Sequence, residues 1–160
     1  MITVNIICVG KLKEKYLRDA CAEYTKRLTA FCKLHIIELQ PFALSLNPAE
    51  AEINEGLRQE GKLILSKIPD SAYVVAMCIE GKQTSSPEFS KKIQDVALGG
   101  HSTVTFVIGG SFGLSDEVKK RADYKLSMSE MTFPHQLARV MLLEQIYRAF
   151  QISSGGKYHK

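Results

Sequence analysis

Two stretches concentrate the residues that could position a reacting ligand. Gly109-Gly110-Ser111-Phe112-Gly113 has three glycines in five residues, where backbone turns freely and a ligand can approach with no Cβ in the way. The second, Ser129 to Pro134, is a polar loop followed by His135 and, one helical turn later, Arg139. The glycine turn lacks the Lys-Ser/Thr ending of a phosphate-binding loop and does not read GxGxxG. No nucleophile elbow, HExxH motif or paired metal-ligand spacing is present, so no metal is expected. Such a site suits transfer of a group whose donor is already activated, a methyl on a sulfonium being one example. The protein then need only align donor and acceptor and exclude water. A Rossmann-like nucleotide-cofactor enzyme is the alternative, with Glu130 standing where a ribose-binding acid could be.

The elements that must hold these loops follow from periodicity. Ile2 to Val9, Leu34 to Leu39, Ala72 to Ile79, Val104 to Ile108 and Tyr124 to Met128 are apolar runs suited to strands of a parallel sheet. Between them lie Tyr16 to Leu28, a segment from Asn47-Pro48 to about Ile68, a segment capped by Ser86-Pro87-Glu88, and Asp116 to Arg121 behind an N-capping Ser115. All have helical spacing or capping signals. Gly56 and Gly61 weaken the second helix by about 1 kcal/mol each and suggest close packing or a bend. His135 to Phe150 is the last helix. The alternation predicts one doubly wound, parallel-sheet α/β domain over residues 1–160, with both loops at the carboxyl ends of neighbouring strands, where such sheets hold ligands.

The charge balance is +4 overall, but Lys11 to Lys33 carries seven basic against three acidic residues and the remainder is neutral. That segment is either a solvated helix face or an edge that contacts phosphates. The four cysteines show no CxxC pairing and lie among apolar neighbours, as expected of reduced thiols in a cytoplasmic protein. No signal-peptide layout is evident, and no apolar run approaches the ~20 residues of a membrane span.

On the last helix, Ala138, Leu142, Leu143, Ile146, Ala149 and Phe150 form a wide apolar arc with Arg139 in its middle. Arg139 would snorkel to the edge or lie near a seam, and the arc would face a second subunit or sink among other elements of its own domain. Glu144 and Arg148 could pair at i, i+4. The tail Ser153 to Lys160 has the composition of a frayed terminus, yet Tyr158 and His159 suit stacking on a base and contact with phosphate. His135, Arg139, Tyr158 and His159 are the catalytic candidates.

Taken together, Ile6 to Lys13, Phe106 to Leu114, Met131 to Arg139, Glu144 to Ala149 and the terminal Tyr158-His159-Lys160 resemble the ribosomal RNA large subunit methyltransferase H family over the whole chain. The resemblance implies a SPOUT-class fold with a C-terminal trefoil knot, and a homodimer. It further implies S-adenosylmethionine as cofactor and methylation of N3 of a pseudouridine in 23S rRNA on the assembled ribosome. It places the cofactor on Met77, Gly109 and Met128, Ser129, Glu130, Met131, Thr132 and Phe133. The Ser153 to Lys157 segment departs from the family pattern. A non-catalytic ribosome-binding module is a further alternative, resting on the basic Lys11 to Lys33 segment.

Overall fold

The computed structural model describes residues 1–160 and alternates five strands with five helices. In chain order these are β1 (Thr3–Val9), α1 (Lys15–Leu28), β2 (Lys33–Leu39), α2 (Glu50–Lys67) and β3 (Tyr73–Lys82). They continue as α3 (Ser86–Leu98), β4 (Thr103–Ile108), α4 (Asp116–Arg121), β5 (Tyr124–Leu126) and α5 (His135–Ser153). The strands form one sheet in the order β2-β1-β4-β3-β5, with every neighbouring pair parallel.

Side chains of a strand alternate between faces, and the central strands are apolar at both sets of positions. Val4, Ile6 and Cys8 of β1 enter a cluster with Cys21 and Leu28 of α1, Phe89 and Ile93 of α3, and Leu142, Leu143 and Ile146 of α5. Ile7 and Val9 face the opposite way, toward Ile64 of α2 and Val118 of α4. The sheet is therefore doubly wound, as periodicity predicted. Each fully buried aliphatic side chain contributes roughly 1.5–3 kcal/mol. Burial pushes the Cys8 thiol up to about 12 and that of Cys32 to about 11, so both stay protonated and act as packing groups.

Several element ends differ from expectation. α2 begins at Glu50 with Ala49 as an N-cap that makes no side-chain bond, not at Asn47-Pro48. The preceding loop is instead tied by Glu52, which accepts from the Ser45 N–H at 2.6 Å and the Ser45 hydroxyl at 2.7 Å. α3 is capped one residue earlier than expected, by Ser85 in a capping box with Glu88. β3 runs on to Lys82 because its end crosses β5 closely. A Cβ on Gly81 would stand 2.8 Å from Leu126 backbone, and the Ser127 N–H donates to the Lys82 carbonyl at 3.0 Å. Gly61 of α2 lies against Ser115, the N-cap of α4, so that glycine is explained by close packing.

The arc of α5 is consumed inside the chain. α5 lies between α1 and α3, and Leu142, Leu143, Ile146 and Ala149 are buried there, leaving Leu137 39% exposed and Val140 and Met141 half-buried. Arg139 does not snorkel to the edge. It is 3% exposed, pairs with Glu38 at 2.7 Å and donates to the Gly10 carbonyl at 3.1 Å, while its Nε has no partner. This corrects the sequence reading: the ends of β1 and β2 supply a carboxylate and a carbonyl that make a buried guanidinium tolerable. Glu38 is solvent-exposed whereas the guanidinium is buried, so it is removal of the carboxylate that strands a charge: Glu38→Ala should lower the unfolding free energy by about 3–5 kcal/mol, measured by urea denaturation. The double variant Arg139→Leu with Glu38→Leu should recover most of that loss.

Candidate active site

The ends of β3, β4 and β5 open into a cleft of about 330 Å³. Met77 and Ile79 line it from β3, the glycine turn from the end of β4, and Met128, Ser129, Met131, Thr132 and Phe133 from the loop after β5. His135 and Ala138 close it from α5. The glycine turn is a tight closure in which the Gly113 N–H donates to the Gly110 carbonyl at 3.1 Å. Gly113 adopts φ of 84°, and a Cβ on Gly109 would collide with the Gly113 carbonyl. Only glycine fits at both places without reshaping the turn.

The loop after β5 is held by its own serines. The Ser127 hydroxyl donates to the Ser129 carbonyl at 3.0 Å, and Ser129 Oγ accepts from the Met131 N–H at 3.0 Å. On the rim, Lys119 and Glu80 pair at 2.5 Å. That hydrogen bond holds the Glu80 carboxyl below its ordinary range and the Lys119 ammonium above its own, so both remain charged at neutral pH. Periodicity missed this pair because its members come from separate elements; the Glu80-Gly81-Lys82 end of the strand was the only local sign.

His135 starts α5 and is half-buried. Burial, the Arg139 cation and Lys13 all depress its pKa from 6.5, in that order. Its imidazole is therefore neutral at pH 7 and can accept a proton. Of the predicted cofactor residues, Met77, Gly109, Met128, Ser129, Met131, Thr132 and Phe133 line the cleft together, whereas Glu130 is exposed and does not.

Arg139 lies beneath the site, bound to Glu38 and Gly10. Tyr158 and His159 lie outside the cleft on the flank of α5. The Tyr158 hydroxyl donates to Glu144 at 3.0 Å, and its ring meets Tyr147 edge-on with centroids 4.9 Å apart. The Arg148 guanidinium sits 4.6 Å over that ring and donates to His159 Nδ1 at 3.1 Å, while pairing with Glu144 at 2.6 Å. The end of the tail is thus anchored, contrary to its frayed composition. Burial pushes the Tyr158 phenol up to about 12, which makes it a hydrogen-bonding and stacking group at neutral pH. No helix is long and apolar enough to cross a membrane.

A family model described as Predicted SPOUT methyltransferase matches residues 2–159. Ribosomal RNA large subunit methyltransferase H 1 of Clostridium perfringens is 56% identical over 159 residues, covering 99% of this chain and 100% of the relative. Ribosomal RNA large subunit methyltransferase H of Clostridium acetobutylicum is 56% identical over 162 residues, with the same coverage of each chain. Among solved structures, tRNA (m1G37) methyltransferase from Aquifex aeolicus aligns with a TM-score of 0.53 at 10% identity, covering 91% of this chain and 69% of that one, a likeness of fold alone. With the site formed where the sheet ends and identity sustained along the whole length, the chain belongs to the ribosomal RNA large subunit methyltransferase H family of SPOUT methyltransferases.

Proposed function

We propose that this protein uses S-adenosylmethionine to methylate N3 of a pseudouridine in 23S rRNA, acting as a homodimer on assembled ribosomes in the cytoplasm. The observation that carries the reading is the joining of a Cβ-free glycine turn, an apolar cleft and a neutral histidine at the ends of three adjacent strands. The cleft suits the cofactor. Backbone of Gly109 and of Met128 to Phe133 would bind its polar edges, and Met77 and Phe133 would pack its adenine. When bound, S-adenosylmethionine supplies a methyl group on a sulfonium, so the protein need provide no electrophile of its own. The Rossmann-like reading relies on Glu130 as the acid at the ribose, and Glu130 stands outside the cleft, while Glu80 on the rim is already paired with Lys119.

The chain's own tasks are alignment and proton removal. His135 lines the cleft as a neutral imidazole and would take the proton that N3 loses as the methyl passes from sulfur to N3, the methyl–sulfur bond breaking to leave a neutral thioether. The walls keep water from the donor. Lys11 and Lys13, exposed on the loop after β1, would meet RNA phosphates, whereas Lys15 and Arg27 of α1 are already paired with Asp19 and Glu23. Tyr158 and His159 stand apart from the cleft of their own chain, so they would meet a methyl donor held by a second copy. Leu137, with Val140 and Met141, leaves apolar surface on α5 for that contact.

Calorimetry should detect S-adenosylmethionine binding to the wild type and at least ten-fold weaker binding to Gly109→Ala, and labelled methyl should appear on 23S rRNA of intact ribosomes. Absence of binding by the wild type rejects the cofactor. Binding of ribosomes with no label transfer favours a non-catalytic module.

A depressed His135 pKa places the acid limb of the pH-rate profile below pH 6.5, because activity is lost only as the histidine becomes protonated; from pH 7 upward this group leaves the rate flat. His135→Ala should lower kcat by about 10²–10⁴ and erase that limb. An unchanged limb assigns the proton transfer elsewhere.

Mixing Gly109→Trp with a chain truncated after Gly156, each inactive alone, should restore part of the wild-type activity through one intact shared site. Mixed dimers that form yet stay inactive, with both parents folded, exclude a shared site.

A further inference from the structure

Across the glycine turn from the cleft lies a smaller chamber of about 90 Å³, walled by Phe42, Gly56, Glu60, Gly110, Phe112 and His135. His135, Gly110 and Phe112 also line the cleft, so the two spaces share a wall. Glu60 is a half-buried carboxylate with no paired cation. Its Oε2 accepts the Phe42 N–H at 3.0 Å, and its Oε1 makes no bond within the protein. That second oxygen lies beside the glycine turn, 3.7 Å from where a Cβ on Gly110 would be. Burial raises the pKa of Glu60, and the Phe42 N–H partly opposes the rise. Oε1 is still open to water in the free protein; a base that fills the chamber would displace that water, and Oε1 would then need an N–H of the base as its donor. Phe42 and Phe112, the latter 50% exposed, offer ring faces beside that acceptor on which a flat base can stack.

Pseudouridine differs from uridine at one edge. Its glycosidic bond is to carbon, so the ring keeps an N1–H where uridine presents a C–H. We propose that Glu60 is the specificity-determining residue that reads this N1–H, which deepens the substrate reading above and rests on it. N1 and N3 of pseudouridine flank the same carbonyl. A base held by N1–H at Glu60 therefore turns N3 away from the carboxylate, and His135, which lines both the chamber and the cleft, is the basic side chain on the shared wall available to it. Uridine would set a C–H against the carboxylate and leave it unpaired, which is how a site built to bind an N–H rejects an analogue that lacks it.

The test compares methylation of ribosomes carrying pseudouridine at the target with ribosomes carrying uridine there, for wild type and Glu60→Gln. Glutamine keeps an amide oxygen for the Phe42 N–H and turns an NH2 donor into the chamber. The expected result is a fall of about ten- to hundred-fold in kcat/KM on pseudouridine ribosomes, the worth of one hydrogen bond to a charged acceptor, with little change on uridine ribosomes. The ratio of the two rates is taken on one preparation, so partial unfolding cancels, and S-adenosylmethionine binding should be unaltered. Equal losses on both substrates, or an undiminished ratio, overturn the assignment of Glu60 while leaving the proposed function in place. A wild type that methylates both ribosomes equally overturns the pseudouridine reading and the role of Glu60 with it.

Discussion

Arg139 is a cation set where water does not reach, and the active end of the molecule depends on how its charge is met. A guanidinium removed from water loses several kcal/mol of hydration, which only a close carboxylate and further acceptors can offset. Glu38 at the end of β2 supplies the carboxylate and Gly10 at the end of β1 a carbonyl. The unpartnered Nε shows that compensation is incomplete. An apolar residue here would pack with less penalty. What the arginine adds is a directional tie between the N-terminal part of α5 and the carboxyl ends of the edge strand β2 and its neighbour β1, a tie that greasy packing, being non-directional, would not supply.

That tie reaches the chemistry through His135, one turn earlier on the same helix. Fixing the start of α5 fixes the imidazole between the cleft and the adjoining chamber, and the nearby cation helps keep it unprotonated. One buried charge thus serves packing, placement and proton affinity. These three effects cannot be separated by removing the arginine, since the helix and the histidine would shift together. The β5 loop relies on a different device, the hydroxyls of Ser127 and Ser129 satisfying its own backbone.

Much of the architecture was legible because it rests on local signals. Apolar runs fully buried on both faces identify β1 and β4, and the glycine turn after β4 marks one side of the cleft. Failures came where long-range contacts decide. Asn47-Pro48 carries a helix-start pattern, but the loop before α2 is fixed by Glu52 seven residues after Ser45, and the helix begins two residues later. Arg139 was placed on the correct arc yet assigned the wrong fate, because its partner Glu38 is a hundred residues away in sequence and no periodicity connects them. Two further places were set by contacts that no window shows: the Glu130 side chain is exposed and does not line the cleft, and the tail is anchored by Glu144 and Arg148 in place of fraying. A knotted path is likewise invisible to periodicity, since it is a property of the whole chain and not of any window.

The same contrast explains how a chain of 160 residues accommodates both a core and a site. Its apolar surface is largely spent on the two faces of the sheet, including the α5 arc that could have formed an interface. What remains at the carboxyl end of the sheet is the glycine-turn backbone, a few methionines and phenylalanines, some hydroxyls, the Lys119–Glu80 pair, one neutral histidine and the carboxylate Glu60 without a cation. On the proposed function, these walls suit the cofactor and one flat base, and affinity for a large RNA comes in addition from exposed lysines such as Lys11 and Lys13. On the role proposed for Glu60, selectivity comes from one polar atom with no partner in the free protein. An unpaired acceptor is tolerable in a half-buried chamber because some water still reaches it, and it becomes discriminating once a bound base excludes that water.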